Sequence, residues 1–277
     1  MQIPVMTFNI QHGVDYKRKD HAAAQKFLEM DPEYLEKLKW QPPKAEDPNL
    51  IDLSLTAEAI RRCGAEIISL NEVRDTAEGW SDPCFTDQVR TIAESLGFPY
   101  FYFGRAIDVE GKGLYGNGLI SKYPIRHVET IAIPDPLVKD EPTWYESRCM
   151  IRAEIDVTDA ASGEAKPLTV LVTHMGLAKG EARNAVQTAL EQVVPGAATL
   201  LMGDFNLTPD SEILAPLLTK YQDAGALLPE GTLSFPSDVP DCKIDYIMAA
   251  GPVKFLQAEI PALVVSDHRP HTAVIEL

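Results

Sequence analysis

Cysteine is scarce in this 277-residue chain: Cys63, Cys84, Cys149 and Cys242 lie far apart, with no C-x-x-C pair. That excludes a dense disulfide framework and fits a reduced compartment. No apolar run reaches the roughly 20 residues a bilayer-spanning helix needs. The opening Met-Gln-Ile-Pro-Val-Met-Thr-Phe-Asn-Ile lacks the basic start and long apolar stretch of a secretory signal. A cytoplasmic protein without a transmembrane segment is the expectation. Positive charge is also short, 25 Lys+Arg against 41 Asp+Glu, for a formal net charge of −16. Non-specific nucleic-acid binding rests on counterion release by Lys and Arg, so bulk DNA or RNA is disfavoured unless a local basic groove overrules the average. The histidines show no H-x-x-x-H spacing. Internal repeats, low-complexity tracts and Gly/Ser linkers are missing too, so residues 1–277 read as one domain.

What is present is 45% hydrophobic residues, enough for a sizeable core. Short apolar runs rich in β-branched and aromatic residues fall at 5–10, 67–70, 100–103, 118–121, 150–155, 168–173, 199–202, 244–248 and 272–277. Several are apolar almost throughout, which suits strands covered on both faces. Helical periodicity falls at 54–63 and 86–96, stopped by Gly64 and Gly97, and at 179–194 and 211–220. Helices alternating with strands predict an α/β domain with mixed sheets. The stretch 14–52 differs: charged, proline-punctuated and weakly periodic, with short helices expected at 20–30 and 32–40. It reads either as a lid over a substrate or as a solvated insertion.

The informative pattern is where polar residues fall. Apolar runs end in Asn9, in Asn71-Glu72, in His174, in Asp204-Phe-Asn206 and in Ser266-Asp267-His268. Strand ends are where sheet proteins place ligand sites. If the strand continues past Asp204, a period of two sends Asp204 and Asn206 to one face. Glu72, Asp204 and Asp267 are hard oxygen donors, suited to Mg²⁺ or Mn²⁺ rather than zinc. Carboxylates gathered together repel unless a cation or raised pKa values relieve them. A metal with imidazoles and amides suits attack of water on phosphorus.

At this point the residues resemble a family. Thr7-Phe-Asn9-Ile, Asn71-Glu72-Val, the run from Gly116-Asn-Gly to Tyr-Pro-Ile125, Glu146-Ser-Arg148, Thr173-His174, Gly203-Asp204-Phe-Asn206, Ile244-Asp245-Tyr and Ser266-Asp267-His268-Arg-Pro270 stand in order along the chain. This set is similar to that of the endonuclease/exonuclease/phosphatase (DNase-I-like) superfamily. The resemblance implies a four-layer α/β sandwich, two mixed, mainly antiparallel sheets packed face to face with helices outside. It implies a metal-dependent hydrolase of phosphate esters, with Mg²⁺ or Mn²⁺ held by Glu72, Asn9 and Asp267. It further implies His268 at the scissile phosphate or activating water, oriented by Asp245; Asp204 handling water or leaving group; and Asn206 positioning phosphate. Arg148 would contact phosphate, His174 would be a second phosphate-facing imidazole, and Asn117 is a weaker phosphate contact. His12 lines the site rim.

His174 stands where abasic-site repair enzymes carry Asn, and Gln11 where they carry Asp, so a DNA-repair reading weakens. The expected substrate is a phosphorylated small or lipid-derived molecule, monoester or diester. The alternatives are a DNA or RNA nuclease using the same site and a non-catalytic binding protein on the same scaffold.

Overall fold

The computed structural model describes residues 1–16, 48–159 and 162–277. Two six-stranded sheets form the body. The first runs β11 (Lys254–Glu259), β12 (His271–Glu276), β1 (Gln2–Asn9), β2 (Ile67–Asp75), β4 (Gly113–Ser121), β3 (Tyr100–Val109). The second runs β5 (Ile125–Ile133), β6 (Arg148–Thr158), β7 (Ala165–His174), β8 (Thr199–Asp204), β10 (Asp245–Ala250), β9 (Gln222–Asp223). β1 pairs parallel with β2 and β7 parallel with β8; the remaining ladders are antiparallel.

Parallel neighbours need a crossover, and a helix supplies it in each sheet. α1 (Leu53–Cys63) lies between β1 and β2, and α3 (Lys179–Glu191) between β7 and β8. α1 starts where Asp52 Oδ1 accepts from Ser54 N at 3.0 Å and stops at left-handed Gly64, as its sequence predicts. With α2 (Gln88–Leu96) it covers the outer face of the first sheet, where Ala57, Ile60, Val89 and Ile92 pack on Met6, Phe8, Ile68 and Leu70. α3 and the short α4 (Ala215–Leu218) cover the second through Ala185, Val186, Ala189 and Leu217. Between the sheets lies a third core of Ile3, Val5, Ile67, Leu119, Val170, Val172, Leu200, Met202, Ile247 and Ile275. The layers are therefore helix, sheet, sheet, helix, as expected. Among the described residues no helix is long and apolar enough to cross a membrane.

The inner columns explain the site. Side chains two apart share a face of a strand. Ile3 and Val5 lead by that parity to Asn9, Val170 and Val172 to His174, Leu200 and Met202 to Asp204, and Ala249 and Ile247 back to Asp245. The interior is apolar through most of its length and turns polar at one end.

Some elements differ from the sequence reading. β5 and β11 were not expected; both are edge strands, and a register shift in each breaks the period-two signal. The helix expected at 211–220 shrinks to α4, because Pro216 falls at its first turn. Of the 14–52 insertion, 17–47, with both short helices, lies outside the described residues. Its stems are joined: Val14 bridges Ile51, and Asp52 N donates to Gly13 O at 2.8 Å.

Candidate active site

Asp204 ends β8 at that polar end, 1% exposed. The residue before it has to be glycine: a Cβ on Gly203 would stand 1.8 Å from Thr173 O, so nothing larger lets β8 approach β7 there. Asp204 Oδ2 accepts from Asn9 Nδ2 at 3.0 Å and lies 3.4 Å from His174 Nε2 and 3.5 Å from His268 Nε2. Burial pushes the Asp204 carboxyl up to about 7, against the pull of His268 and with Asp245 adding to the rise. A carboxyl poised near neutrality is suited to exchange a proton with water.

The two imidazoles are set to opposite states. Burial disfavours a charged His268, yet Asp245 and Asp204 together outweigh it and raise it well above the ordinary histidine range. Asp245 Oδ2 lies 2.9 Å from His268 Nδ1, and the Phe235 ring packs on the other side at 4.7 Å. His174 is held well below that range, by burial first and then by Arg148. Arg148 Nη1 lies 2.9 Å from His174 Nδ1. A guanidinium can only donate, so Nδ1 accepts and the proton of the neutral ring sits on Nε2, facing Asp204. Arg148 is itself anchored by Glu146 at 3.0 Å.

Glu72 reaches the site by a different device. The β2–β4 register shifts between Leu70 and Val73, and Glu72 takes a φ of 57°. The bulge swings the carboxylate out of the ladder, so that Asn9 Nδ2 donates to Oε1 at 3.0 Å and His12 Nε2 stands 3.6 Å from Oε2. Burial opposes ionisation here too, but His12, the Asn9 amide, His268 and Arg148 together hold the carboxyl below its usual range. Among the described residues the non-glycine positions with positive φ are Gln11, His12, Glu72 and Asn206. Each is at this site, where strained backbone commonly collects.

The structure brings Asn9, Glu72, Arg148, His174, Asp204, Asn206, Asp245 and His268 together, but not always in the expected roles. Asn9 was expected as a metal ligand. Its Nδ2 faces Glu72 and Asp204 and bridges the two carboxylates, while its Oδ1 accepts from Gln11 N at 3.1 Å and keeps a second lone pair. Asn117 was expected at the phosphate. It is 2% exposed, accepting from Asn71 Nδ2 at 2.9 Å and donating to Cys149 O at 3.0 Å, so its amide ties the sheets together. Asp267 accepts from Gln11 Nε2 at 2.6 Å. Asn206 does not follow strand parity, because β8 stops at Asp204. A tight turn, with Asn206 N donating to Asp204 Oδ1 at 2.9 Å, carries its amide to within 3.2 Å of His174 Nε2.

Two carboxylate groupings compete for a cation. Ligand atoms of Asp204, Asp245 and His268 lie within 4.8 Å of one another, whereas the sequence points to Glu72. In the first grouping His268 and Asp245 are already committed to each other, and a cation would meet an imidazole raised toward its protonated form. Glu72 is kept ionised and its side chain is 22% exposed, which fits a hard cation better.

Sequence reasoning gave no role to Asn71, Tyr115 or Gln88. Asn71 is wholly buried: it donates to Asn117 Oδ1 and Thr173 O, and accepts from the Asp204 N–H at 2.9 Å. Its signal was available, since an amide in a buried strand must be bonded. Tyr115 lies under the His12 ring at 5.6 Å and meets Arg148, contacts that no local pattern announces.

The family model described as "Endonuclease/Exonuclease/phosphatase family" matches residues 6–268. The chain is 25% identical over 248 residues to the uncharacterized protein YbhP of Escherichia coli K12, covering 83% of this chain and 88% of that protein. Among solved structures it is similar to an endonuclease/exonuclease/phosphatase of Beutenbergia cavernae, with a TM-score of 0.70 and 20% identity over all of this chain and 72% of that one. A mannosyl-6-phosphatase of Bacteroides thetaiotaomicron matches with a TM-score of 0.68 and 12% identity, over 99% of this chain and 100% of that one. With order, fold and polar end in agreement, the chain belongs to the endonuclease/exonuclease/phosphatase family.

Proposed function

We propose that the chain is a divalent-metal-dependent phosphoesterase that hydrolyses a phosphate mono- or diester of a small or lipid-derived molecule with activated water. One observation carries this reading: Asp204 Oδ2 sits 3.4 Å from a neutral imidazole and 3.5 Å from one raised toward its cation. A proton acceptor flanked by two donors is what an attacking water and a phosphoryl group require.

Arg148 and protonated His268 bind the phosphoryl oxygens, and His174 offers its Nε2–H to the same group. Asp245 keeps the His268 ring oriented. Asp204 takes the proton of the attacking water as that oxygen bonds to phosphorus, and the bond from phosphorus to the ester oxygen breaks. The departing alcohol takes its proton from His268, and Asn206 holds the oxygen beside His174. When bound by Glu72, with Asp267 as the second carboxylate, Mg²⁺ or Mn²⁺ supplies neutralising charge for the phosphoryl oxygens. The net charge of −16 argues against bulk nucleic acid as the substrate. All four cysteines are free thiols, which supports a reducing, cytoplasmic setting.

The test is a substrate panel with Mg²⁺ and with Mn²⁺: bis-aryl phosphodiesters, sugar and inositol phosphates, sphingomyelin, nucleotides and plasmid DNA. Hydrolysis of a small or lipid-derived ester, lost in His268→Ala, is expected. Equal rates for wild type and variant on every compound would overturn the proposal.

A further inference from the structure

The segment joining β5 to β6, residues 134–147, is built inside out. Its polar groups are turned onto the protein. Glu141 accepts from the first turn of α3, with Lys179 N donating to Oε2 at 3.1 Å and Gly180 N to Oε1 at 3.3 Å. Asn184 Nδ2 donates to Pro134 O at 2.7 Å, and Glu146 N donates to Glu181 Oε1 at 2.7 Å. Within the segment, Asp135 Oδ1 accepts from Ser147 Oγ at 3.0 Å, Asp135 Oδ2 lies 3.7 Å from Lys139 Nζ, and the Tyr145 hydroxyl accepts from Glu141 N at 2.9 Å. Pro134, Pro136 and Pro142 fix three of its φ angles. The apolar side chains are the ones left in solvent: Leu137 is fully exposed, and Val138 and Trp144 are each more than half exposed.

Leu177, just ahead of α3, is more than half exposed as well. Glu141 bonds to Lys179 and Gly180, two and three residues beyond Leu177, so the two apolar stretches adjoin. Single exposed hydrophobes are common, but several gathered on anchored backbone mark a contact surface. This surface stands beside the phosphate contacts. Trp144 precedes Arg148 by four residues and Leu177 follows His174 by three. Chain length therefore holds each pair within about 14 Å.

We propose that residues 134–147, with Leu177, form a docking rim that inserts among the acyl chains of an electrically neutral phospholipid surface, so that the ester presented to Arg148 and His174 is a phospholipid phosphodiester. The substrate half of this inference rests on the phosphoesterase reading above. Dimensions support it: the headgroup layer holding lipid phosphate is roughly 5–8 Å thick, so side chains sunk in the hydrocarbon at that reach bring Arg148 and His174 to phosphate level. An indole is suited to that boundary, apolar in its body and polar at its N–H. Charge selects the surface. The segment carries Asp135, Asp140, Glu141 and Glu146 against Lys139, in a chain of net charge −16, and an anionic leaflet would repel it.

The test is co-sedimentation of the intact chain with phosphatidylcholine vesicles and with vesicles half phosphatidylglycerol, for wild type, Trp144→Phe and the double variant Leu137→Ser/Trp144→Ser. Melting curves check that each is folded, and hydrolysis of a water-soluble bis-aryl phosphodiester is followed alongside. Wild type should bind the neutral vesicles and bind the anionic ones more weakly. The double variant should bind at least about 10-fold more weakly, since two large apolar side chains no longer leave water, with its rate on the soluble ester unchanged. Trp144→Phe should still bind, and should lose the blue shift in tryptophan emission that vesicles produce in wild type. Wild type left in the supernatant while the soluble ester is hydrolysed would overturn the inference and leave the phosphoesterase reading intact. Equal vesicle binding by the folded double variant would overturn it too. So would a dimer in sedimentation velocity that the double variant abolishes, because the rim would then be covered by a second copy. Vesicle binding through the rim with no ester hydrolysed would uphold the docking surface and overturn the phosphoesterase reading.

Discussion

The two sheets are built to one plan and end in opposite chemistry. Each has a ladder sequence of antiparallel, antiparallel, parallel, antiparallel, antiparallel, with a helix crossing over its parallel pair. By this plan β1 corresponds to β7, β2 to β8, and β4 to β10. The paired positions carry Asn9 against His174, Asn71 against Asp204 and Asn117 against Asp245, and Glu72 follows Asn71 on the bulge, where the second sheet has no counterpart. Both carboxyls suffer from burial. Glu72 faces His12, His268, Arg148 and an amide, and stays ionised; Asp204 has Asp245 as a neighbour and rises to about 7. Topology brings both strand ends to one cleft, and the charges around each carboxyl decide whether it is held below its usual range or pushed up toward neutrality.

Exchanging one carboxylate at a time should separate these two roles. Asp204→Asn should lower kcat by about 10³-fold, within the range for loss of a general base, and leave divalent-cation affinity nearly unchanged. Glu72→Gln should weaken cation binding about 10- to 100-fold, with activity partly recovered at high metal concentration. Steady-state kinetics across a metal titration distinguishes the two signatures. If both variants gave the same one, the contrast between the halves would be lost.

A smaller effect should follow from cutting the knot that joins them. Asn71→Ala strands the Asp204 N–H, Asn117 Oδ1 and the Thr173 carbonyl in a buried place. It should cost about 3 kcal/mol, read as a lower urea midpoint at unchanged slope.

The smallest effect concerns His271, wholly buried on β12 with Nδ1 on the Asp245 carbonyl. Burial, aided by Lys243, lowers its pKa from 6.5 to about 4. The unfolded chain takes up that proton first as pH falls, so stability is full above pH 6.5 and is lost as pH drops toward 4. The loss should be about 2 kcal/mol between pH 8 and pH 5. His271→Asn keeps a donor for the carbonyl and should flatten that slope in urea titrations.

Much of this was legible in the residues. The central strands announce themselves as apolar runs because both their faces are covered, and the polar residue closing each run marks the site. Edge strands β5 and β11 were hidden because bulges break their alternation. Glu72 was legible as an acid at a strand end, but not how it is presented: strand parity alone sends Asn71 and Glu72 to opposite faces. The bulge lets Asn71 bind the second sheet while Glu72 turns into the cleft. Asn117 shows the reverse error, since motif order places it in the site and burial spends its amide on structure.

The central claim is that water, activated at Asp204, attacks phosphorus. The most direct measurement is hydrolysis of a phosphate ester from the panel in H₂¹⁸O, with mass analysis of both products, for wild type and Asp204→Asn. The account predicts ¹⁸O in the phosphate product, none in the alcohol, and turnover that collapses in the variant. Label in the alcohol, or an undiminished rate in Asp204→Asn, would contradict it.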